Sequence, residues 1–345
     1  MSAEEDQRSA AARAVGETVR ASAAGATGSF AAALPEHGPL PLGKAIRIAA
    51  AAFDEAALAY GHGTDNAIDE ASWLLLETLG LSPSIAPDYE RPLDAEERRR
   101  CNARLERRIV GRVPTAYLVG TAWFAGHAFL SDRRALVPRS PLAELVTNDF
   151  FGLLDGRSAP RALDLCTGGG CIGISCALAR EDILVDASDV SIEALELAHE
   201  NVLRHGVEGR VRLLEGSLFE PVEGPYDLIL SNPPYVDAED LASMPAEFSH
   251  EPELGLAAGA DGLDLVRRML AEAAEHLAPG ATLVVEVGNS APAVAALWSE
   301  VPFEWLEFTA GGEGVFAIAR EALLAHAATF ERTRRFGTGG SSTRA

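Results

Sequence analysis

The stretch Asp164-Leu165-Cys166-Thr167-Gly168-Gly169-Gly170-Cys171 joins an apolar run over residues 162–166 to a helical pattern over residues 171–180. Three glycines in a row let the backbone adopt positive φ and pass close to a ligand. A helix that begins near Cys171 directs its unpaired N–H groups towards that ligand. We therefore interpret the stretch as the turn between the first strand and the first helix of an open α/β sheet, where a nucleotide cofactor would bind.

Strands and helices alternate downstream of this turn, which predicts a parallel sheet with helices on both faces. The predicted strands cover residues 162–166, 183–188, 211–215, 226–231, 281–287, 304–309 and 315–319, and the predicted helices cover residues 171–180, 191–205, 263–277 and 291–299. Only residues 310–314 join the last two strands. A loop of that length suits an antiparallel hairpin, because a parallel crossover needs about a dozen residues or more. A parallel sheet that ends in an antiparallel pair is typical of class I, Rossmann-like methyltransferases, and this is the α/β fold class that we predict.

The sequence before the sheet predicts a small N-terminal helical domain. Apolar residues recur at helical spacing over residues 44–60, 66–79 and 94–111. We predict a flexible extension over residues 1–43, a helical substrate-recognition domain over 44–122, a β-hairpin linker over 123–141 with its turn at Ser131-Asp132, a methyltransferase domain over 142–322 that opens with a helix over 142–154, and a tail over 323–345.

The formal net charge of the 345-residue chain is -22. Such a charge repels nucleic-acid phosphates and attracts basic partners, although it also serves solubility alone. No apolar run approaches the roughly 18 residues that would span a bilayer. The start of the chain, Met1-Ser2-Ala3-Glu4-Glu5-Asp6, is acidic where a signal peptide would be basic. We therefore expect a cytoplasmic protein with a basic partner, without a membrane span and without direct nucleic-acid binding.

Three of the four cysteines, Cys166, Cys171 and Cys176, recur at intervals of five residues and invite interpretation as a metal site. Five residues along an α-helix turn the side chain by about 500°, so Cys171 and Cys176 do not share a face. No pair has CxxC spacing either. We interpret these cysteines as small packing residues and predict no metal.

Asp189 stands at the end of the second predicted strand, about 20 residues after the glycines, where an acidic side chain commonly binds a ribose hydroxyl. Such a turn holds pyrophosphate in dinucleotide enzymes. S-adenosylmethionine has no phosphate, but its methionyl carboxylate suits the same N–H groups, and Asp164 suits its ammonium group. The alternative interpretation is a tight strand–helix turn followed by an aspartate that faces solvent.

Asn232-Pro233-Pro234-Tyr235 follows the strand over residues 226–231. It therefore lies at the same edge of the sheet as the glycine turn. The prolines remove two backbone donors, which leaves the Asn232 amide oxygen and the Pro233 carbonyl as acceptors. Two such acceptors suit the two N–H groups of an amide or aromatic amine, because both bind more strongly as positive charge grows on a nitrogen that gains a methyl group. Tyr235 is placed to pack on the substrate plane. A purely structural Pro-Pro turn is the alternative.

At this point the sequence resembles the protein-glutamine side-chain amide methyltransferases, a family that modifies release factors and one ribosomal protein. It is most similar to the branch that acts on large-subunit ribosomal protein three. The segments that carry the resemblance are Tyr60 to Asn66, Trp123 to Gly126, Val137 to Pro141, Asp164 to Ile172, Asn232 to Asp237, His250 to Leu256, Gly288 to Ser290 and Gly311 to Phe316. The release-factor branch usually has Pro-Arg-Pro where Ser140 stands here, which favours the ribosomal-protein branch.

The resemblance implies S-adenosylmethionine as cofactor and a glutamine side chain held by Asn232, Pro233, Pro234 and Tyr235. The residues that it and the turn chemistry assign to the cofactor are Asp164, Cys166, Thr167, Gly168, Gly169, Gly170, Asp189, Ser217, Leu218 and Asn232. Ser217-Leu218 departs from the Asp-Trp pair of the release-factor branch. Leu218 still suits adenine by apolar contact, whereas Ser217 offers no carboxylate.

Five other residues belong to the resemblance without an assigned chemistry: His62, Trp123, Arg139, Glu251 and Glu253. For His62 we favour a loop network with Asp65 over catalysis, and we place Trp123 in the core rather than at a substrate platform. Glu251 and Glu253 suit either the rim of a groove for a basic substrate or a plain surface loop.

Three other functions compete with methylation of the ribosomal protein. The first is methylation of a release-factor glutamine. The second is methylation of an adenine amino group in nucleic acid, by enzymes that use a similar turn but usually carry a basic recognition domain and flip the base. The third is a non-catalytic module that binds S-adenosylmethionine and docks on ribosomal protein, against which the complete catalytic turn argues.

Overall fold

A computed structural model of the chain describes residues 33–81, 85–259, 261–309 and 311–336. The predictions for residues 1–32 and 337–345 lie outside these ranges. Over the described residues, the helical domain, the hairpin and the α/β sheet follow one another along the chain in the predicted order.

The helical domain is built from α1 (Leu42–Glu55), α2 (Ala67–Thr78), α3 (Ala95–Ile109) and the short α4 (Thr115–Val119). Helix α3 begins at a capping box: the Asp94 side chain accepts the Glu97 N–H at 2.8 Å, and Glu97 accepts the Asp94 N–H at 3.0 Å. Such a box satisfies donors that the helix leaves open. The apolar faces of the helices meet around Phe53 and Leu105, which are both fully buried.

The last part of the predicted flexible extension is packed, so that prediction is wrong for residues 33–43. Leu34 and Leu40 are both fully buried. The Leu34 backbone exchanges two hydrogen bonds with the Asn102 side chain, at 2.9 and 3.0 Å. Two isolated leucines among Ala, Gly and Pro are too sparse to signal burial by composition.

The hairpin is shifted from its predicted position. Its strands are β1 (Thr121–Phe124) and β2 (His127–Leu130), and its turn is Ala125-Gly126, not Ser131-Asp132. Both turn residues have positive φ, as a two-residue hairpin requires. Alanine rarely adopts that conformation, which hides the turn from sequence analysis. Trp123 is 42% exposed on this hairpin, so its placement in the core is also wrong.

The sheet has seven strands among the described residues, in the order β5-β4-β3-β6-β7-β9-β8. They are β3 (Arg161–Leu165), β4 (Leu184–Asp189), β5 (Val211–Glu215), β6 (Tyr226–Ser231), β7 (Leu277–Glu286), β8 (Glu304–Trp305) and β9 (Val315–Ala319). Strands β3 to β7 pair in parallel, and β9 pairs antiparallel with both β7 and β8. This confirms the class I methyltransferase sheet with its antiparallel end, although β8 is shorter than predicted.

Helices cover both faces of the sheet because its central strands alternate between two apolar cores. Leu228 and Leu230 of β6 face one core, and Ile229 between them faces the other. The helices are α5 (Leu142–Thr147), α6 (Cys171–Ala179), α7 (Ile192–His205), α8 (Ala238–Ser243), α9 (Asp264–His276), α10 (Ala291–Leu297), α11 (Arg320–Ala325) and α12 (Ala327–Phe336). Helix α5 ends well before residue 154, since a 3-10 turn over Asp149–Gly152 with positive φ at Phe150 and Phe151 follows it.

The strand order reverses between β3 and β6. The chain runs outward from β3 through β4 to β5, and then returns to pair β6 with the other side of β3. Open α/β sheets bind ligands beyond the carboxyl ends of the strands at such a point. In β3 and β6, Leu165 lies opposite Ser231, and the Ser231 hydroxyl donates to the Leu165 carbonyl at 2.8 Å. The two turns that follow these strands are therefore neighbours.

The predicted tail is wrong for residues 323–336, which belong to α11 and α12. Leu323 of α11 is 1% exposed, and Phe330 of α12 is fully buried. The Phe330 ring lies 6.1 Å from the Trp298 ring, centroid to centroid. The basic composition of residues 332–335 makes the apolar residues of these two helices hard to recognise in the sequence.

The C-terminal helices should therefore contribute to stability. We expect Phe330→Ala to lower the free energy of unfolding by about 3–5 kcal/mol, because it opens a cavity in the core. Leu324→Ala, at a residue 49% exposed on the same helical pair, is the matched control and should change it by about 0.5 kcal/mol or less. Urea unfolding measures both. Equal values for the two variants would contradict the packing of α12.

Candidate active site

A cleft of about 810 Å³ opens at the reversal point, beyond the carboxyl ends of β3 and β6. The predicted residues that line it are Cys166, Thr167, Gly168, Gly169, Asp189, Ser217, Leu218, Asn232, Pro233, Pro234 and Tyr235. Asp164 and Gly170 are not among the lining residues. The structure thus brings both predicted turns to one cleft. Asp164 and Gly170 lie behind the residues that form its surface.

The glycine turn presents backbone N–H groups to the cleft. Cys166, Gly168 and Gly170 have φ of 59°, 55° and 85°, so the chain turns sharply before α6 begins. Among the described residues, the N–H groups of Gly169 and Cys171 donate to no oxygen, and both residues line the cleft. An anionic group fits there, because a helix N-terminus offers open donors.

Asp164 supports the turn from behind the cleft surface, and its expected role as a ligand of an ammonium group stays a prediction. It is 1% exposed, and its Oδ2 accepts the Thr167 hydroxyl at 2.5 Å and the Gly173 N–H at 2.8 Å. Its Oδ1 is buried without a hydrogen bond to any described residue. Burial raises the pKa of Asp164 to about 7.

Asp189 lies at the end of β4 with its carboxylate fixed from both sides. Its oxygens accept the backbone N–H groups of Gly168 and Ser191, each at 2.9 Å. Each oxygen keeps a free lone pair, which suits a pair of ribose hydroxyls. Leu218 lies in the same part of the cleft with φ of 50°, and the Ser217 hydroxyl accepts from Arg268 at 3.1 Å. Sequence analysis missed Arg268, because its partner is 51 residues away.

The Asn232 turn presents open acceptors to the cleft. Neither the side chain of Asn232 nor the carbonyl oxygen of Pro233 makes a hydrogen bond with another described residue. Pro233 is buried, which holds the turn against the sheet. The turn can therefore accept two N–H groups from a substrate without breaking a bond of its own.

Tyr235 is held by contacts that the sequence did not predict. Its hydroxyl donates to Glu286 at 3.0 Å, and the Ser140 hydroxyl donates to the other Glu286 oxygen at 2.5 Å. The Ser290 hydroxyl donates to the Tyr235 carbonyl at 3.0 Å. A Cβ at Gly288 would lie 2.6 Å from the Tyr235 ring, so only glycine fits beneath it. Burial raises the pKa of both Glu286 and Tyr235.

One wall of the cleft is formed by Phe248, which His62 and Arg139 flank. The Phe248 ring lies 4.5 Å from the His62 ring and 5.3 Å from the Arg139 guanidinium carbon. Arg139 forms two hydrogen bonds with Glu251, at 2.6 and 2.8 Å, and His62 approaches Glu251 at 3.4 Å. Burial alone would raise the pKa of Glu251, but His62 and Arg139 together lower it to about 2.

These contacts correct two expectations. His62 pairs with Glu251 across the domain boundary rather than with Asp65 in its own loop. Glu251 is 6% exposed and forms an internal ion pair, so it neither lines a groove nor lies on a surface loop. Glu253 is exposed and does not line the cleft, which agrees with the alternative of a plain surface loop.

Among the described residues that line the cleft, the charge that lacks an ion-pair partner is negative. Its two lining arginines are both paired, Arg134 with Asp132 and Glu200 and Arg139 with Glu251. Asp240 and Glu313 also line the cleft, are exposed, and have no ion-pair partner among the described residues. A cationic substrate therefore suits this cleft better than a phosphate backbone.

Neither a membrane-spanning helix nor a metal-binding cluster occurs in the described ranges. No helix there is long and apolar enough to cross a membrane. No group of three or more His, Cys, Asp or Glu side chains there has the geometry of a metal site.

The sheet, the glycine turn and the acceptors at its reversal point define a class I methyltransferase. The family described as Methyltransferase small domain matches residues 147–248, and the PrmC N-terminal domain family matches residues 45–120. Both matches agree with a catalytic sheet behind a separate helical domain.

Curated relatives narrow the class to one family. The ribosomal protein uL3 glutamine methyltransferase of Xanthomonas campestris is 47% identical over 285 residues, which are 82% of this chain and 92% of that protein. The enzymes of the same name from Neisseria meningitidis serogroup B and Neisseria gonorrhoeae are each 46% identical over 282 residues, 81% of this chain and 93% and 94% of theirs. The chain belongs to the ribosomal protein uL3 glutamine methyltransferase family.

The buried carboxyl of Asp164 should make stability depend on pH. Its pKa is raised from 3.8 to about 7 on folding, so its stabilising contribution is complete below 3.8 and is lost as the pH rises through about 7. The loss is about 1.4 kcal/mol per pH unit. Asp164→Asn cannot ionise, so the stability of the wild type relative to this variant should fall between pH 5 and pH 8. Denaturant unfolding across that range measures the difference; parallel profiles would contradict the raised pKa.

Proposed function

We propose that this protein transfers a methyl group from S-adenosylmethionine to the side-chain amide nitrogen of a glutamine in ribosomal protein uL3. The observation that carries the proposal is the pair of open acceptors, the Asn232 amide oxygen and the Pro233 carbonyl, beside the open N–H groups of the glycine turn. The names of the curated relatives support the choice of glutamine and of uL3.

The cleft fits the proposed cofactor from end to end. The open N–H groups of Gly169 and Cys171 suit the methionyl carboxylate, and the Asp189 oxygens suit the ribose hydroxyls. Leu218 and the apolar lining residue Leu265 suit the adenine ring. When bound, S-adenosylmethionine supplies an electrophilic methyl group; the protein supplies orientation and the charge environment of the acceptor nitrogen.

Asn232 and Pro233 would hold the substrate nitrogen. An amide nitrogen is a poor nucleophile because its lone pair is delocalised into the carbonyl. Hydrogen bonds from its two N–H groups to these acceptors favour the pyramidal form, and they strengthen as positive charge grows on the nitrogen. Tyr235 packs beside the substrate plane at an angle that Glu286 and Gly288 fix. No general base is needed before transfer, since the methylated nitrogen is far more acidic than the amide.

Charge supports a basic protein as the substrate. Ribosomal proteins bind RNA through Lys and Arg, whereas both arginines that line this cleft are neutralised, and Asp240 and Glu313 have no ion-pair partner in the described part of the chain. The same balance disfavours nucleic acid as the substrate, because phosphate binding needs free cations. Since uL3 is made in the cytoplasm, we place the reaction there, on free or newly made uL3 in which the glutamine is still accessible.

Two substitutions should separate catalysis from cofactor binding. Asn232→Ala should remove most turnover and leave cofactor affinity within about tenfold, because Asn232 acts on the nitrogen as charge develops. Asp189→Ala should weaken cofactor binding by about 1.5–3 kcal/mol, the value of a hydrogen bond to a charged group. Calorimetry and single-turnover rates measure the two effects. Near-normal turnover of Asn232→Ala would refute the mechanism, and unchanged affinity of Asp189→Ala would remove it from the cofactor site.

The substrate assignment is tested by offering labelled S-adenosylmethionine with free uL3, mature ribosomes, a release factor or naked nucleic acid. We expect label on free uL3, and after digestion the label should be retained by one peptide that contains glutamine. The association rate of the enzyme with uL3 should fall as the salt concentration rises. Preferential labelling of the release factor, the nucleic acid or the mature ribosome would each overturn the assignment. Asn232→Ala is the control for background label.

A further inference from the structure

Glu247 joins the helical domain to the wall of the cleft. It is 2% exposed, and its Oε1 accepts the Ala59 N–H at 3.1 Å and the guanidinium groups of Arg108 and Arg112, each at 3.3 Å. All three donors belong to the helical domain, more than 130 residues from Glu247 along the chain. One carboxylate oxygen thus gathers three donors across the domain boundary.

The charges around Glu247 are balanced. Arg108, which is 1% exposed, also donates to Glu70 at 2.5 Å and to the Ala59 carbonyl at 2.9 Å. Two acids, Glu70 and Glu247, therefore face two bases, Arg108 and Arg112; the first three are buried, and the Arg112 side chain is 31% exposed. Removal of one member leaves a buried charge uncompensated, so the cluster fixes the relative placement of the parts that it joins.

The next residue along the chain is Phe248, the ring that forms the cleft wall. Three residues beyond Phe248, Glu251 makes the second connection between this segment and the helical domain, through His62 at 3.4 Å. Between them, the His250 ring nitrogen lies 2.7 Å from the Gly111 carbonyl. The segment that carries Phe248 is therefore bound to the helical domain on both sides of the ring.

Glu247 takes no part in the one connection that the described residues make between the helical domain and the cofactor end of the cleft, which runs through Tyr117 to Ala135 beside the glycine turn. Among the described residues, none of the hydrogen bonds from residues 44–119 reaches the glycine turn, Asp189, Ser217 or Leu218. Besides the Phe248 wall, the helical domain contacts two lining residues: Ala135, whose carbonyl accepts the Tyr117 hydroxyl at 2.6 Å, and Val137, which packs with Ala116, Trp73 and Tyr117.

We infer that Glu247 is a positioning residue: through Arg108 and Arg112 it holds the Phe248 wall in place, so that the helical domain sets the affinity for substrate without affecting the cofactor. The inference rests on the proposed function for its substrate. By this inference, the helical domain shapes the cleft itself, in addition to any contact that it makes with substrate outside the cleft.

The test compares Glu247→Gln with Glu96→Gln, which removes the same charge from an exposed ion pair with Arg99 in the helical domain. We expect Glu247→Gln to raise KM for uL3 about tenfold while kcat and cofactor Kd stay within about twofold. Glu96→Gln should change none of the three. In the background of Phe248→Ala, the effect of Glu247→Gln on KM should shrink to about twofold or less, because the two residues act as one unit.

Independent effects of Glu247→Gln and Phe248→Ala on KM would overturn the inference, as would an equal loss of cofactor affinity. Hydrogen exchange provides a measurement that needs no substrate: Glu247→Gln should speed exchange at residues 246–251 and leave residues 164–173 unchanged. If the wild type fails to methylate uL3, the proposed function fails, while the exchange pattern and cofactor Kd still decide whether Glu247 positions the wall. Faster exchange throughout the chain would mean general destabilisation and would also overturn the inference.

Discussion

The parallel pairing of β3 with β6 is the constraint on which the site depends. Leu165 lies opposite Ser231, so the glycine turn and the Asn232 turn leave the sheet side by side. A slip of one residue would turn every side chain of β6 to the opposite face and move both acceptors away from the glycine turn. Alternate burial of the β6 residues in two cores prevents that slip. The cleft is thus a consequence of strand register, and the loops around it refine its shape.

Buried acids then fix the walls of the cleft. Glu286 holds Tyr235, Glu251 holds Arg139, and Glu247 binds the helical domain. Each of the three carboxylates is at most 6% exposed and accepts at least two donors. Burial of a carboxylate is costly unless it is paired and hydrogen-bonded, so each acid tolerates only the geometry that supplies its donors. The ion pairs of Glu247 and Glu251 and the hydroxyl hydrogen bonds of Glu286 thus fix the placement of their partners, while a buried ion pair adds little net stability.

Sequence analysis predicted the parts of this structure that local patterns determine. The strand–helix alternation, the glycine turn and the Asn232 turn are each readable within about ten residues, and the two turns lie at one edge by rule. The partners of Glu247 and Glu286 are not readable in this way, because they lie 51 to 188 residues away and any of several acids would suit the pattern. The hairpin turn and the C-terminal helices were predicted wrongly for a different reason. Nothing in the local sequence marks Ala125 as a turn residue with positive φ or Phe330 as a buried residue among basic neighbours. Both features are visible only in the structure.

The acceptor pair at Asn232 and Pro233 does not by itself choose between a glutamine amide and the amino group of a base, because both present two N–H groups on a delocalised nitrogen. Selection must come from what surrounds the pair. A flipped base brings flanking phosphates to the mouth of the cleft, where Arg134 and Arg139 are already neutralised and Asp240 and Glu313 add uncompensated negative charge. A glutamine in a basic polypeptide brings cations to the same place. The chemistry of the turn is therefore general, and we propose that the charge of its rim supplies the discrimination between substrate classes.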